Sequence, residues 1–190
     1  MQNREKTQMA SNKTKAETSA EIEDKFYNLI WWLDLEHRYQ TARSSFVGKI
    51  EKIVTLLIIL FSIIGLLGYA CTLCSIISLF CGIALIIFDT NKLQLVHTRL
   101  KERLANLLTL AKTAEKNSAN YIELSMQKSQ IESKIDEHYM IVEALCYNEI
   151  IKERLLDSNN SIAIPKWMIP LKHLMRFSSF DLTSKKHIID

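Results

Sequence analysis

Hydrophobic and polar residues divide this chain into an apolar centre and two polar flanks. From Ile53 to Phe88, 36 residues follow one another without Asp, Glu, Lys, Arg, His, Asn, Gln or Pro. A membrane-spanning helix needs roughly 20 apolar residues, and one helix of this length would reach roughly 54 Å, well beyond a hydrocarbon core of about 30 Å. For this segment, called the apolar run, we expect a two-helix transmembrane hairpin. Its spans are predicted at 53–69 and 71–88, with a turn at 68–72, where glycine and small polar residues favour a reversal.

Upstream of the apolar run, apolar residues recur with the period of an α-helix. The first stripe follows steps of 4, 3 and 4 and consists of Ile22, Phe26, Leu29 and Leu33. A second stripe continues it and consists of Trp32, Leu35, Tyr39, Ala42, Phe46 and Ile50. A capping box at Thr18 and Glu21 predicts a helix start near Thr18. The sequence thus predicts an amphipathic helix over 20–52. Its aromatic residues are expected to pack on later helices, with a self-association surface as the alternative.

Downstream of the apolar run, Leu93, Leu100, Leu107 and Ala114 recur every seven residues, which is typical of a coiled-coil-like seam. Weak helix formers then occupy 115–120, and the helical pattern resumes from 121 to 156. If 115–120 is a turn, the helices fold back into a bundle. If it is not, one helix extends roughly 100 Å at about 1.5 Å per residue. We favour the bundle because the aromatic helix needs a partner.

The composition predicts an all-α protein. Proline is absent before Pro165, and Gly48 is the one glycine outside the apolar run. Because glycine and proline are the main helix breakers, long helices are expected throughout. The predicted organisation is a disordered tail at 1–19, a cytoplasmic helix at 20–52, the hairpin at 53–88, cytoplasmic helices at 89–157 and a basic C-terminal tail at 158–190.

Charged residues predict the orientation of the hairpin. Basic residues flank the apolar run on both sides: Arg38, Arg43, Lys49 and Lys52 before it, and Lys92, Arg99, Lys101 and Arg103 after it. The turn between the two spans carries no charge. Since Lys and Arg are enriched in cytoplasmic segments, both termini are expected in the cytoplasm.

Small and weakly polar residues form a stripe on each predicted span. The candidate helix-packing or pore-lining residues are Thr55, Ser62, Gly65 and Tyr69 in the first span and Ser75, Ser78 and Gly82 in the second. Small residues let helix backbones approach closely in lipid. The stripes either face each other within one hairpin or meet between subunits and line a narrow pore. The spans carry no ionisable group, which argues against a proton relay or pump, and two spans enclose a pathway only as an oligomer.

The sequence predicts no enzyme, cofactor site or metal site. It contains no glycine-rich phosphate loop and none of the common hydrolase or zinc-protease motifs. Cys71 and Cys74 form a CxxC spacing, but at the start of an apolar helix they are better explained as small packing residues. The five histidines match no zinc-ligand spacing.

The net positive charge of the chain is concentrated at its C-terminal end. Residues 165–190 contain five basic and two acidic side chains, which accounts for the whole formal charge of +3. The candidate partner or membrane-surface residues are Trp167, Lys172, Arg176, Lys185 and Lys186. A basic segment with aromatic residues can bind an anionic membrane surface. An acidic partner, nucleic acid, or packing as a strap on the bundle are the alternatives.

A short motif precedes the apolar run: Arg38-Tyr39-Gln40-Thr41-Ala42-Arg43, followed by Lys49 and Lys52. Together with the tight hairpin and the long helical segment after it, this layout resembles the SLATT family over roughly residues 20–156. That family comprises two-transmembrane domains associated with SMODS and SLOG proteins in bacteria. The extended tail after Pro165 departs from a minimal member.

The resemblance implies a multi-pass protein of the bacterial inner membrane that acts as an effector of anti-phage, abortive-infection defence. Such a protein would form homo-oligomers and permeabilise the membrane on a signal from a partner in trans, such as a nucleotidyltransferase or a reverse transcriptase. The family has no catalytic residues to carry over. The alternative is a non-conducting membrane scaffold or phage exclusion protein that recruits a cytoplasmic partner.

Overall fold

The computed structural model describes residues 2–67, 71–135, 139–157 and 160–173. It contains five α-helices: α1 at Gln2–Leu66, α2 at Cys71–Phe88, α3 at Thr90–Thr113, α4 at Ser118–Glu132 and α5 at Met140–Glu153. A 3-10 helix follows at Lys166–Leu171. Every regular element among these residues is helical, which confirms the all-α prediction. Most of the expected hairpin turn, residues 68–70, lies outside the described residues.

Helix α1 differs from its predicted start. It begins at Gln2, whereas the capping box predicted a start near Thr18 and a disordered tail over 1–19. The first 47 residues contain neither glycine nor proline, and Ala, Lys, Glu and Gln are frequent among the first 25. These residues have high helix propensities, which is consistent with a helix that continues without a break through position 18.

The turn alternative for 115–120 is confirmed. Helix α3 ends at Thr113, and Asn117 caps α4 by accepting a hydrogen bond from the Asn120 N–H on its side-chain oxygen at 2.8 Å. An asparagine in this position satisfies one of the free N–H groups at a helix start. A second break, between Glu132 and Met140, divides what the pattern predicted as one helix over 121–156.

The described chain forms two compact units, one from residues up to 37 with 102–138, and one from 38–101 with 139–190. In the first unit, apolar side chains of α1, α3 and α4 are buried: Phe26, Leu29, Leu33, Leu104, Leu107, Leu108, Ala111, Leu124 and Ile131. The Phe26 and Tyr121 rings lie 5.9 Å apart, and the Lys128 ammonium lies 4.5 Å from the Trp32 ring centroid. The expected packing of the α1 aromatics on later helices is therefore confirmed here.

In the second unit, the core is formed by α1, α3, α5 and the segment 160–173, which we call the strap. Its buried apolar residues include Tyr39, Val47, Leu100, Ile141, Val142, Ile150, Ile151 and Met168. Helices α2 and α3 are separated only by Asp89, which adopts a φ of 39°. This left-handed conformation is one that aspartate tolerates better than most residues other than glycine.

The apolar run exposes its large side chains rather than burying them. Exposed residues occur along both of its helices: Ile53, Leu56, Ile59, Leu60, Ile63, Leu66 and Leu67, then Leu73, Ile76, Leu79, Phe80 and Ile83. Among the described residues, one helical stretch, Thr72–Thr113, is long and apolar enough to cross a membrane. Little of its apolar window is buried, unlike the core helix of a soluble protein.

Candidate functional site

The small residues of the apolar run line one groove between the end of α1 and α2. Ser62, Gly65, Ser75, Ser78 and Gly82 all border this groove, which has a volume of about 710 Å³. The Ser62 and Ser78 hydroxyls are 3.3 Å apart, and Ser62 also donates to the Ile58 carbonyl at 2.7 Å. The two predicted stripes therefore face each other within one chain.

The two glycines of this groove have different surroundings. A Cβ atom on Gly65 would lie 4.0 Å from the Ser75 hydroxyl, in ordinary van der Waals contact. A Cβ atom on Gly82 would meet nothing within 4 Å. A side chain at position 65 would thus touch Ser75, whereas this chain leaves room for an additional side chain at position 82.

The remaining predicted site residues have varied locations. Thr55 is exposed and lies outside the groove, and Trp167 is exposed on the 3-10 helix of the strap. Lys172 ends this helix and is partly buried. Tyr69, Arg176, Lys185 and Lys186 lie outside the described residues.

A buried polar stripe on α1 was not predicted. Burial follows steps of 4, 3, 4, 3 and 4 through Leu29, Leu33, Glu36, Gln40, Arg43 and Val47. The predicted second stripe, from Trp32 to Ile50, instead runs beside this line. Three polar residues therefore occupy core positions, where each needs hydrogen bonds or charge compensation.

Two motif residues bind α5 and the segment before it. Arg38 forms a bidentate ion pair with Glu153, at 2.9 and 2.6 Å, and lies 4.0 Å from Glu149. The Tyr39 hydroxyl accepts a hydrogen bond from the Tyr139 N–H at 2.9 Å. Because Tyr139 is the N-cap of α5, this buried tyrosine satisfies a free N–H at the start of that helix.

Gln40 binds α3. Its side-chain oxygen lies 2.6 Å from Nδ1 of His97, so this ring nitrogen donates. One turn further along α1, the Ser44 and Thr98 hydroxyls are 2.9 Å apart. These contacts join α1 to the part of α3 that directly follows the apolar run.

Arg43 binds the strap. Its guanidinium donates to the His173 carbonyl at 2.9 Å and lies 3.8 Å from the centroid of the Tyr139 ring. The His173 ring stacks on Phe46 with centroids 4.1 Å apart. Asn148 of α5 also binds the strap. Its side-chain amide donates to the Ile162 carbonyl at 2.8 Å and accepts from the Ile162 N–H at 2.7 Å. For residues 160–173, packing on the helices is therefore the alternative that the structure supports.

The histidines of this polar cluster are held neutral at pH 7. Burial and, to a smaller extent, the nearby Arg43 guanidinium together lower the pKa of His97 to about 4. Burial, Arg43 and Lys172 together lower the pKa of His173 to about 4. Nε2 of His97 and Nδ1 of His173 are buried without a hydrogen-bond partner among the described residues.

Acidification is expected to destabilise the second unit. An unfolded histidine takes up a proton near pH 6.5, whereas these rings take it up only near pH 4. Stability should thus be unchanged above pH 7 and fall progressively as the pH drops from about 6.5 towards 4. The melting temperature of the purified protein at pH 7.5 and 5.0 measures this. The double variant His97→Gln/His173→Gln should lose much less between these two conditions, and an equal loss would contradict the assignment.

Sequence reasoning missed His97, Tyr139, Asn148 and His173 as members of this cluster. Each is isolated in its own segment, and its partner lies at least 14 residues away in the chain. The signal that was present is the motif at 38–43 itself, because Tyr39, Gln40 and Arg43 contact Tyr139, His97 and His173 respectively. Among the described residues, no three His, Cys, Asp or Glu side chains come together as a metal site requires.

Comparison of the chain with protein-family models, with curated proteins and with solved structures finds no match. The features of the chain that bear on its function are therefore the apolar run, the groove and the buried polar cluster.

Proposed function

We propose that this protein is a membrane effector of a bacterial anti-phage system, with a two-span hairpin and both termini in the cytoplasm. It oligomerises and permeabilises the inner membrane on a signal from a partner in trans. The observation that carries the proposal is the exposed apolar surface along both helices of the apolar run. Soluble monomers rarely expose contiguous apolar patches larger than a few hundred Å².

Helix lengths support the hairpin. The apolar part of α1 from 53 to 66 and the whole of α2, 18 residues, correspond to about 21 and 27 Å. The length of α2 is close to a hydrocarbon core of about 30 Å, and the apolar part of α1 within the described residues is shorter. Basic residues outside both ends of the run favour a cytoplasmic location for the two flanks.

The polar cluster supports coupling between a cytoplasmic signal and the hairpin. Gln40 connects α1 to α3, and Arg43 connects α1 to the strap. Helix α1 continues into the apolar run, and α3 directly follows it. A partner that displaces the strap would remove the contacts of Arg43 and Phe46 with His173. The defence role itself is supported by the resemblance of residues 38–43 and of the hairpin layout to the SLATT family.

A second candidate is a non-conducting scaffold that holds a cytoplasmic partner at the membrane. The bond between Ser62 and Ser78 favours it, because small residues that face each other within one chain are less available to line a pore. This candidate predicts membrane localisation that recruits a partner, without ion leakage.

Membrane potential during induced expression in bacteria separates the two candidates. We expect prompt depolarisation by the wild-type chain. The variant Gly82→Leu should abolish it while the protein still inserts, because the room beside Gly82 would be needed by a helix of a second copy. The readout is a potential-sensitive dye, with membrane fractionation of the same cells.

The matched control is Ile76→Leu, which changes an exposed α2 residue outside the groove and should depolarise like wild type. If Gly82→Leu depolarises as strongly as wild type at equal membrane content, oligomerisation through this face is excluded. Inserted wild type that leaves the potential intact, with and without its genomic neighbours, would favour the scaffold.

A further inference from the structure

An apolar crevice lies in the second unit, where α1, α2 and α3 meet. It has a volume of about 320 Å³, and its walls are almost entirely apolar. The lining residues are Arg43, Phe46, Val47, Ile50 and Val54 from α1, Ala84 and Leu85 from α2, and Thr90 and Leu93 from α3. Since an apolar cavity of about 150 Å³ accommodates one benzene-sized group, this crevice has room for about two large apolar side chains.

The strap ends beside this crevice. The His173 carbonyl accepts a hydrogen bond from Arg43 at 2.9 Å, and the His173 ring stacks on Phe46 with centroids 4.1 Å apart. Arg43 and Phe46 are both wall residues of the crevice. The last residue of the strap is therefore fixed at the position from which the following residues can enter the crevice.

The residues that follow His173 match the crevice in polarity. They are Leu174, Met175, Arg176 and Phe177, three of which are large and apolar, and 174–190 lie outside the described residues. In an extended chain, alternate side chains share one side. Met175 and Phe177 would then face the apolar walls together, and Arg176 would face away from them.

The length of this segment also matches. Along α1, Phe46 and Val54 are eight residues apart, which corresponds to about 12 Å at about 1.5 Å per residue. Four extended residues span at most about 13 to 14 Å. Starting from His173 beside Phe46, residues 174–177 are thus long enough to follow the α1 wall to Val54.

We propose that residues 174–177 dock into this crevice of the same chain, with the Met175 and Phe177 side chains between α1, α2 and α3. The docked segment joins the strap to the three helices at the ends of the apolar run. A lipid acyl chain or the same segment of a second copy would also suit apolar walls. The chain's own segment is favoured because its attachment at His173 gives it an effective concentration in the millimolar range. This contact goes beyond the proposed function and does not depend on it.

Site-specific photo-crosslinking of the full chain in membranes tests the docking. p-Azidophenylalanine, which is close to phenylalanine in size, replaces Phe177, and peptide mass spectrometry locates the crosslinks after irradiation. We expect crosslinks within one chain to peptides that contain 46–54 or 84–93. The matched control carries the same probe in place of Phe180, three residues further along the chain. Its crosslinks to these peptides should be at least about tenfold fewer.

A variant that fills the crevice provides the second test. Ala84→Phe places a ring between the walls and should lower the crosslinking from position 177 about tenfold. Ile76→Phe makes a similar change on α2 outside the crevice and should leave the crosslinking unchanged. Far-ultraviolet circular dichroism of both variants checks that the helices are retained.

Crosslinks from position 177 that reach these peptides no more often than those from position 180 would overturn the proposal. Crosslinks to phospholipid or to a second chain would overturn it as well, because they identify another occupant. Unchanged crosslinking in folded Ala84→Phe would exclude the crevice as the site. A wild-type protein that leaves the membrane potential intact contradicts the proposed effector function alone, whereas the crosslinks report on the docked segment.

Discussion

The substitution Leu79→Arg is expected to shift most of the protein out of the membrane fraction. Leu79 lies in the middle of α2, and 63% of its surface is exposed. At the centre of a spanning helix, arginine costs about 2.5 to 3.5 kcal/mol, whereas leucine contributes favourably by about 0.5 kcal/mol. The difference corresponds to more than about a hundredfold in the insertion equilibrium. Carbonate extraction of membranes, followed by quantitative blotting, measures the change.

Leu110→Arg is the matched control. Leu110 lies on α3, outside the apolar run, and 52% of its surface is exposed. The same chemical change there should leave the protein in the membrane fraction with wild-type abundance. If both variants fractionate alike, or if Leu79→Arg increases the yield of soluble protein that is active, the apolar run does not lie in lipid and the proposed hairpin is wrong.

Local patterns predicted much of the architecture correctly. The predicted seam is buried at Leu100 and Leu107 but not at Leu93, which is 41% exposed, and the turn after Thr113 falls where weak helix formers accumulate. These features depend on residues within one or two helical turns, so a single sequence contains the relevant information. The sequence left two alternatives for Ser62 and Ser78, contact within one chain or contact between subunits. It could not decide between them because the choice depends on how the helices pack.

The polar cluster could not be predicted in the same way. Glu36, Gln40 and Arg43 have the spacing of a core stripe, but they are polar, and a pattern of apolar residues does not include them. Distant segments supply the hydrogen-bond partners that compensate for their burial. The partner of Gln40 is 57 residues away in the chain, and that of Arg43 is 130 residues away. Positions where local rules fail in this way are frequently functional or strained. This is why the cluster is the better candidate for signal transmission than the apolar core around it.

Met168→Ala is expected to detach the strap. Met168 is fully buried, with an exposed fraction of 0%, and is the buried apolar residue of the 3-10 helix. Truncating a buried methionine to alanine typically costs about 2 to 5 kcal/mol. The strap has few other attachments, among them the bonds of Asn148 and Arg43. Hydrogen exchange of the amides in 160–173 should therefore accelerate by at least about thirtyfold, since each 1.4 kcal/mol is a factor of ten.

Ile169→Ala provides the comparison for that variant, because the neighbouring Ile169 is 39% exposed and loses less contact on truncation. Its exchange should change by less than about threefold. Faster exchange confined to 160–173 would establish the strap as a separately opening segment. If depolarisation then begins at lower expression of Met168→Ala, the strap restrains the hairpin, because its release removes the His173 contacts of Arg43 and Phe46. Unchanged exchange in Met168→Ala would show that burial of this methionine does not hold the strap and that the strap does not open separately from the helices.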